Sequence, residues 1–455
     1  MKKSSYEINP AKIVIYSFLI VIFAGALLLK LPSSTTAKGL SWLNAFFMST
    51  SAVCVTGLSV MDVGKELSFP GQVILLALVQ TGGLGIMTFS LLFMLFLGGG
   101  TSLATRLSAA GVSRKSDIQS LMFVLPFIIG MTFLFEALGA FLLFFRFREI
   151  HPFPEAVFSS IFHAVSAFCN AGFGLYTDSL SRFQNGLYVP VVIMVLIIFG
   201  GLGFIVIDEM RIWLGSRFRG EKYRFSLHTK VCLAGTVILI LFGAAAIFFF
   251  ENQNLLRGMP FSGKLINSFF LSVTSRTAGF NTIDTASLTN ASLFFVVLYM
   301  FIGACPGSTA GGIKVTTFAV LLALIKCQIK GSSMTSIGHR KIPHEAVGKS
   351  LAVFAAGFMI VIAAVLVFEV SERIGVSHTV ANDNFLDVLF ETTSALGTVG
   401  LSTGLTPTLT SFGKGLLILL MFAGRVGPLT LGLAIMNKRR KQMAYEYAEE
   451  EMMIG

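Results

Sequence analysis

Residues 51–60 read SAVCVTGLSV, and the glycine in their middle, Gly57, closes a stretch of apolar sequence. Similar strings return three times: CVTGLS at 54–59 is followed by CNAGFG at 169–174, RTAGFN at 276–281 and GTVGLS at 397–402. The four glycines, Gly57, Gly172, Gly279 and Gly400, are separated by 115, 107 and 121 residues, and each has a phenylalanine ten residues earlier (Phe47, Phe162, Phe269, Phe390). A large apolar residue follows every one of them: Leu58, Phe173, Phe280 and Leu401. Self-similarity at a nearly fixed period is the mark of a repeat architecture, each copy one supersecondary unit.

The rest of the chain fits that frame. Of its 455 residues 54% are hydrophobic and only 13% are charged, with a mean hydropathy of +0.80; soluble domains are nearer one-quarter charged, so the composition is that of a membrane protein. Apolar segments long enough to span a bilayer lie near 13–29, 72–97, 119–145, 187–214, 230–250, 292–327, 348–369 and 412–436. The segments between the members of each pair are shorter and mostly apolar, a length suited to a half-span that enters and leaves on one side. The chain therefore divides into four units, 13–97, 119–214, 230–327 and 348–436, with a tail at 437–455. The second helix of each unit carries its own glycine marker: GGLG at 82–85, GGLG at 200–203, GACPG at 303–307 and AGRVG at 423–427. The fold expected is all-α, with eight spanning helices and four re-entrant pore helices in a pseudo-fourfold arrangement around one pore.

Charge gives the orientation. The net charge of +11 could point to nucleic acid, but the basic residues gather at particular loop ends. Of the 34 Lys and Arg, 21 lie on the side of the N-terminus and of the second-helix ends, 10 on the half-span side and three within the apolar layer. Lys and Arg concentrate on the cytoplasmic side of membrane proteins, so both termini are expected in the cytoplasm, the half-spans enter from outside, and no nucleic-acid role is implied. Lys2, Lys3 and Lys12 before the apolar run 13–29 resemble the start of a signal peptide, but the run is too long and no small-residue cleavage site follows. The five cysteines are odd in number and form no CxxC, which argues against a disulfide framework or a zinc site.

Each half-span has a helix-start residue (Ser41, Pro154, Ser262, Asn384) and room for about ten helical residues, ~15 Å. Its C-terminal end, pointing to mid-membrane, favours a cation. Beyond it the chain turns at glycine, and non-helical backbone at that depth survives only where it is buried or lines a water-filled cavity. Four such turns about one axis direct rings of carbonyl oxygens inward, an arrangement that replaces the water shell of an alkali cation. The filter residues expected are Val55, Thr56 and Gly57; Asn170, Ala171 and Gly172; Thr277, Ala278 and Gly279; Thr398, Val399 and Gly400.

With these residues in view, the chain resembles the Trk/Ktr/HKT superfamily of potassium transporters, and within it the Ktr membrane subunit. The resemblance covers nearly the whole chain; each filter motif is weak alone and the set of four is specific. It implies a potassium-selective filter, because the first-repeat position is Gly57 where many sodium-selective plant members have serine. It also implies a homodimer in the cytoplasmic membrane, sitting on a ring of regulatory subunits that bind ATP or ADP, with no cofactor in this chain itself. The docking surface would include 106–115, 216–230, 330–349 and the tail KRRKQMAYEYAEEEMM; anionic lipid is the competing partner for such basic clusters.

Other polar residues were weighed on the same terms. The segment 292–327 is too long for one span and is broken by CPGSTAGGIK at 305–314, where Pro306, Gly307, Gly311 and Gly312 cannot hold a regular helix. The functional reading is an intramembrane gate made by Pro306, Gly307, Ser308, Thr309, Ala310, Gly311, Gly312 and Lys314; the plain reading is a kink. Arg425, about a dozen residues into the last segment, is costly in a membrane. It is expected to act below the filter, as a positive barrier or by holding the 305–314 loop through its carbonyls, rather than to snorkel. Glu136, Asp208 and Glu209 are candidate ion ligands; Glu136 lies mid-span, with nothing tying it to the pore. Asp208 and Glu209, beside Arg211, read as a solvated helix end, Asn170 and Arg276 as braces behind their filter loops, and Glu391 as an acid at the start of the fourth pore helix.

Two phosphate-loop look-alikes fail. GMPFSGK at 258–264 lacks the following Ser or Thr, and GSTAGGIK at 307–314 has the wrong spacing. No nucleophile–base, metal-ligand or paired-carboxylate pattern stands in a plausible setting, so no enzyme activity is expected. The remaining rival is a sodium-coupled secondary transporter of another solute, whose folds usually show two inverted halves rather than four parallel units.

Overall fold

The computed structural model describes residues 10–36, 39–96, 117–373 and 384–427. The tail 437–455 and the 106–115 loop, both expected in a docking surface, lie outside the described residues. The helices fall into four sets. The first holds α1 (Pro10–Leu29), α2 (Trp42–Val53) and α3 (Phe69–Phe96), and the second α4 (Asp117–Phe147), α5 (Phe153–Phe168), α6 (Tyr188–Leu202) and α7 (Phe204–Phe218). The third holds α8 (Leu227–Glu251), α9 (Phe261–Thr274), α10 (Asn290–Phe301) and α11 (Val315–Ile329), and the fourth α12 (His344–Arg373), α13 (Asn384–Gly397) and α14 (Ser411–Val426). A two-residue antiparallel pair, Ser336–Ile337 with Arg340–Lys341, follows α11.

Four helical stretches among the described residues are long and apolar enough to cross a membrane: Lys12–Leu29, Leu125–Phe147, Leu227–Glu251 and His344–Glu372. They are the first helices of the four sets. Their outward faces carry large apolar side chains such as Phe23, Phe133, Phe242 and Leu366, as lipid contact requires. Inside them sit the four short helices, α2, α5, α9 and α13, each packed against the long helix of its own set. Each set also reaches the next: α3 packs on α5, α6 on α9, α10 on α13, and α14 returns to α2. The assembly therefore closes on itself.

The short helices are longer than the ten residues expected from sequence: 12, 16, 14 and 14 residues. Ser41 caps α2 through its side chain as anticipated, accepting from the Asn44 amide at 3.2 Å. The third short helix begins earlier than its sequence suggests. Pro260 is its N-cap, and Ser262 lies within the first turn, because proline fixes the φ needed at a helix start. The described part of the fourth begins at Asn384. Glu391 is a correction of a different kind. It stands in the middle of α13, 1% exposed, and accepts hydrogen bonds from Ser402 and Thr406, so it ties down the outward return of the chain rather than the start of the helix.

The segment at 187–214, expected as one span, is broken at Gly203, and α6 and α7 meet at 101°. Gly203 has φ +82°, and a β-carbon there would lie 2.6 Å from the Pro306 carbonyl oxygen. The loop 302–314 fills the space a straight helix would take. Its Gly307 carbonyl accepts the Phe204 amide at 3.1 Å, one of the amides freed at the start of α7.

Carboxylates reinforce several of these helix starts. Glu209 accepts from both the amide and the hydroxyl of Ser226, the N-cap of α8. Glu251 does the same to Thr289, the N-cap of α10, at 2.9 and 2.8 Å. Glu372 does it to Thr410 before α14. Glu209 is thus 2% exposed and engaged rather than part of a solvated helix end, whereas Asp208 does pair with Arg211, at 2.8 Å. Glu251 also accepts from Asn254 and is fully buried. Replacing it with alanine leaves several donors without their charged acceptor, and Glu251→Ala is expected to cost about 2–4 kcal/mol, read as a lowered midpoint of thermal unfolding in detergent.

Candidate functional site

Each short helix ends in the same turn. Two residues before each glycine the backbone is left-handed: Val55 at φ +53°, Asn170 at +60°, Thr277 at +77° and Thr398 at +50°. The glycines are left-handed as well, at +95°, +69°, +79° and +88° for Gly57, Gly172, Gly279 and Gly400. Positive φ is an outlier for β-branched residues such as Val55, Thr277 and Thr398. It persists where surrounding structure over-determines it, and such residues cluster at functional sites.

A hydroxyl from the last turn of the helix does that holding. Ser51 Oγ donates to the Leu58 carbonyl at 2.6 Å and accepts the Gly57 amide at 3.1 Å. Ser166 Oγ donates to the Phe173 carbonyl at 2.7 Å and Thr274 Oγ1 to the Phe280 carbonyl at 2.8 Å, while Ser394 Oγ accepts the Gly400 amide at 3.1 Å. Sequence reading missed these struts, although Ser-Ala precedes the turn in three copies (51–52, 166–167, 394–395). The third copy is one residue shorter between helix and glycine. Its strut is Thr274, four residues after Phe270, just as Ser51 follows Phe47 by four. Phe270 is 1% exposed and Phe269 only partly buried, so Phe270 rather than Phe269 is the counterpart of Phe47, Phe162 and Phe390.

The four turns meet in a ring. A β-carbon built on Gly57 would lie 2.3 Å from the carbonyl oxygen of Ala171, and one on Gly172 2.7 Å from that of Ala278. On Gly279 it would lie 2.8 Å from the oxygen of Val399, and on Gly400 2.1 Å from that of Thr56. First set meets second, second meets third, third meets fourth, and fourth meets first. No L-residue with a side chain fits any of the four positions without displacing backbone. The carbonyls before the glycines are therefore gathered at one place. Among the described residues no group of three His, Cys, Asp or Glu gathers as a metal site; what the ring presents is backbone oxygen, a hard ligand of the kind that suits alkali ions.

Directly against this ring lies the loop 302–314. Thr309 is its hub: Asn170 Nδ2 donates to its hydroxyl at 2.9 Å, its amide donates to the Gly200 carbonyl at 3.3 Å, and Arg425 Nη1 donates to its carbonyl. Arg425 Nη2 donates to the Gly82 carbonyl at 3.2 Å. The guanidinium, 6% exposed, thus joins the loop to the first and fourth sets. Lys314 Nζ folds back on the loop, donating to the Ala310 carbonyl at 2.6 Å. A β-carbon on Gly311 would strike Thr398 Oγ1 at 2.0 Å, so the loop touches the fourth turn too. The loop replaces helix altogether, where a kink would have kept it running. Cys305, at its start, is anchored by its amide to the Gly201 carbonyl at 3.0 Å.

The outlying candidates separate. Glu136 is 4% exposed and receives the thiol of Cys169 at 3.8 Å, next to the second turn. Arg276 is 7% exposed beside the third turn; its amide donates to the Val273 carbonyl at 3.2 Å, and its side-chain Nε has no hydrogen-bond partner among the described residues. Asn170 faces the loop instead of bracing its own turn.

A family model described as TrkH, cation transport protein, matches residues 3–445. The chain belongs to the TrkH cation transport protein family. It is 37% identical over 444 residues to Ktr system potassium uptake protein B of Bacillus subtilis (strain 168), covering 97% of this chain and 96% of the relative. It is 34% identical over 459 residues to the potassium/sodium uptake protein NtpJ of Enterococcus hirae, covering 100% and 99%. Among solved structures, the potassium transporter TrkH of Vibrio parahaemolyticus has the same fold, with a TM-score of 0.73 at 18% identity over 96% of this chain and 87% of that one. The TrkH-family assignment and the apolar helices together make this a multi-pass membrane protein.

Proposed function

We propose that this TrkH-family chain is the pore-forming subunit of a Ktr-type potassium uptake system, with the four glycine turns as its selectivity filter. The observation that carries the reading is the closure of the glycine–carbonyl ring, first set to second and on around to the first. The names of its relatives, potassium uptake proteins and one potassium/sodium uptake protein, support potassium as cargo. In this reading each set contributes two spanning helices and a re-entrant pore helix, eight and four in all. The chain lies in the cytoplasmic membrane with both termini inside, and it assembles as a homodimer. The loop 302–314 is the gate, held by Arg425 and Lys314, and a cytoplasmic nucleotide-binding partner moves it. That partner would dock on basic surfaces that include 216–230 and 330–349. A carbonyl filter serves passive and sodium-dependent uptake alike; the rival, sodium-coupled carriage of another solute, gives no use for four equivalent carbonyl turns.

The filter reading makes a selectivity claim. Gly57→Ser adds a side chain where 2.3 Å separates a β-carbon from the Ala171 oxygen, so the carbonyl ring must open. Potassium-over-sodium preference in proteoliposome uptake is expected to fall about tenfold or more, equivalent to ~1.4 kcal/mol between the ions. Unchanged preference here and in the Gly172, Gly279 and Gly400 equivalents would sink the filter.

The gate reading makes a flux claim. A closed state that a partner can open is favoured by only a few kcal/mol. Loss of the two Arg425 hydrogen bonds, one to the Thr309 carbonyl and one to the Gly82 carbonyl, therefore shifts the balance toward open. Arg425→Ala and removal of 306–312 are expected to raise potassium flux in protein that elutes as folded on gel filtration. Flux at or below wild type in both would rule out the gate.

A further inference from the structure

Arg276 immediately precedes the third turn, Thr277-Ala278-Gly279. It lines a small, partly open pocket of about 20 Å³ together with Thr236, Gly201, Ala304, Ile197 and Ile240. Its side chain is more than nine-tenths buried, and its Nε has no hydrogen-bond partner.

A buried guanidinium cannot stand uncompensated, because removing its charge from water costs several kcal/mol unless an opposite charge and hydrogen bonds replace the water. The C-terminal end of α9 supplies about half an elementary negative charge, and that end also faces the ring. The remainder must come from the cavity. Its volume admits one water-sized or slightly larger species, above the ~10–15 Å³ a single water needs. Thr236 also lines it: its Oγ1 is 3.7 Å from Cys305 Sγ, and because that thiol donates to the Cys232 carbonyl at 3.9 Å, the hydroxyl is the donor of the pair. The guanidinium is the one charged group in a pocket otherwise walled by isoleucine, valine, alanine, glycine and Thr236. Water would satisfy the hydrogen bonds and leave the charge.

We propose that this cavity binds a single small anion of halide size, chloride in the cell, as the counter-charge of Arg276. The bound anion would keep a fixed positive charge from opposing cations at the adjacent carbonyls of the third turn. It would also steady the start of the 302–314 loop, since Ala304 and Gly201 line the cavity. The site stands on Arg276 and the cavity; only its consequence for transport rests on the filter reading.

Bromide tests it. In crystals of the full chain grown in potassium bromide, anomalous scattering is expected to show one bromine peak in the cavity, within hydrogen-bonding reach of the Arg276 guanidinium. The unfolding temperature should rise with chloride or bromide relative to gluconate, an anion too large for the cavity, at equal potassium. Arg276→Gln should abolish both the peak and the halide dependence; where that variant does not fold, the wild-type comparison of halide with gluconate decides by itself. Potassium flux should fall when gluconate replaces chloride on both sides. No bromine peak in the cavity, together with an unfolding temperature indifferent to halide, overturns the proposal and assigns the cavity to water. A bromine peak without an effect on flux would leave the anion site standing and count against the filter consequence alone.

Discussion

Unwound backbone buried inside a membrane protein is the constraint on which this structure depends. A helix satisfies its own amides and carbonyls; a turn at that depth does not, and lipid offers nothing in exchange. The chain meets the constraint four times with the same device. A Ser or Thr hydroxyl from the last helical turn, Ser51, Ser166, Thr274 or Ser394, binds the back of the turn. The carbonyls before the glycines are left to meet at the ring. The long helices, the caps and the apolar outer surface hold these turns together.

The second consequence of that constraint is the loop 302–314. Its amides and carbonyls must also be satisfied, and they borrow partners from three of the four sets: Gly200 and Phe204 from the second, Gly82 from the first through Arg425, and Arg425 itself from the fourth. One result is the break at Gly203, where α6 gives up its continuation to make room. A segment whose hydrogen bonds are spread over separate bodies can exchange them as a unit, the physical requirement for a two-position element.

Much of this was legible in sequence because buried, non-helical turns leave few choices. Gly57, Gly172, Gly279 and Gly400 announce themselves by period, and the Pro-Gly run at 305–312 forbids a helix wherever it sits. What sequence hid was long-range. Nothing near Gly203 says that its neighbour in space is Pro306, about a hundred residues on, so 187–214 read as one helix. Glu391 reads as a terminal acid by its charge alone, although it stands seven residues beyond Asn384; its partners, Ser402 and Thr406, lie on the far side of the turn. The register of the third copy was ambiguous because Phe269 and Phe270 are adjacent, and only burial separates them. Arg276 reads from sequence as a brace for its loop, and the missing partner of its Nε shows only in the packed surroundings.

The account stands or falls on where cations bind. Crystals grown with rubidium or thallium in place of potassium, with data collected at the absorption edge, locate the ion directly. The prediction is a peak on the axis encircled by the carbonyl oxygens of Thr56, Ala171, Ala278 and Val399, one from each set. An ion-free ring, with the cation instead at side chains such as Glu136, would contradict it.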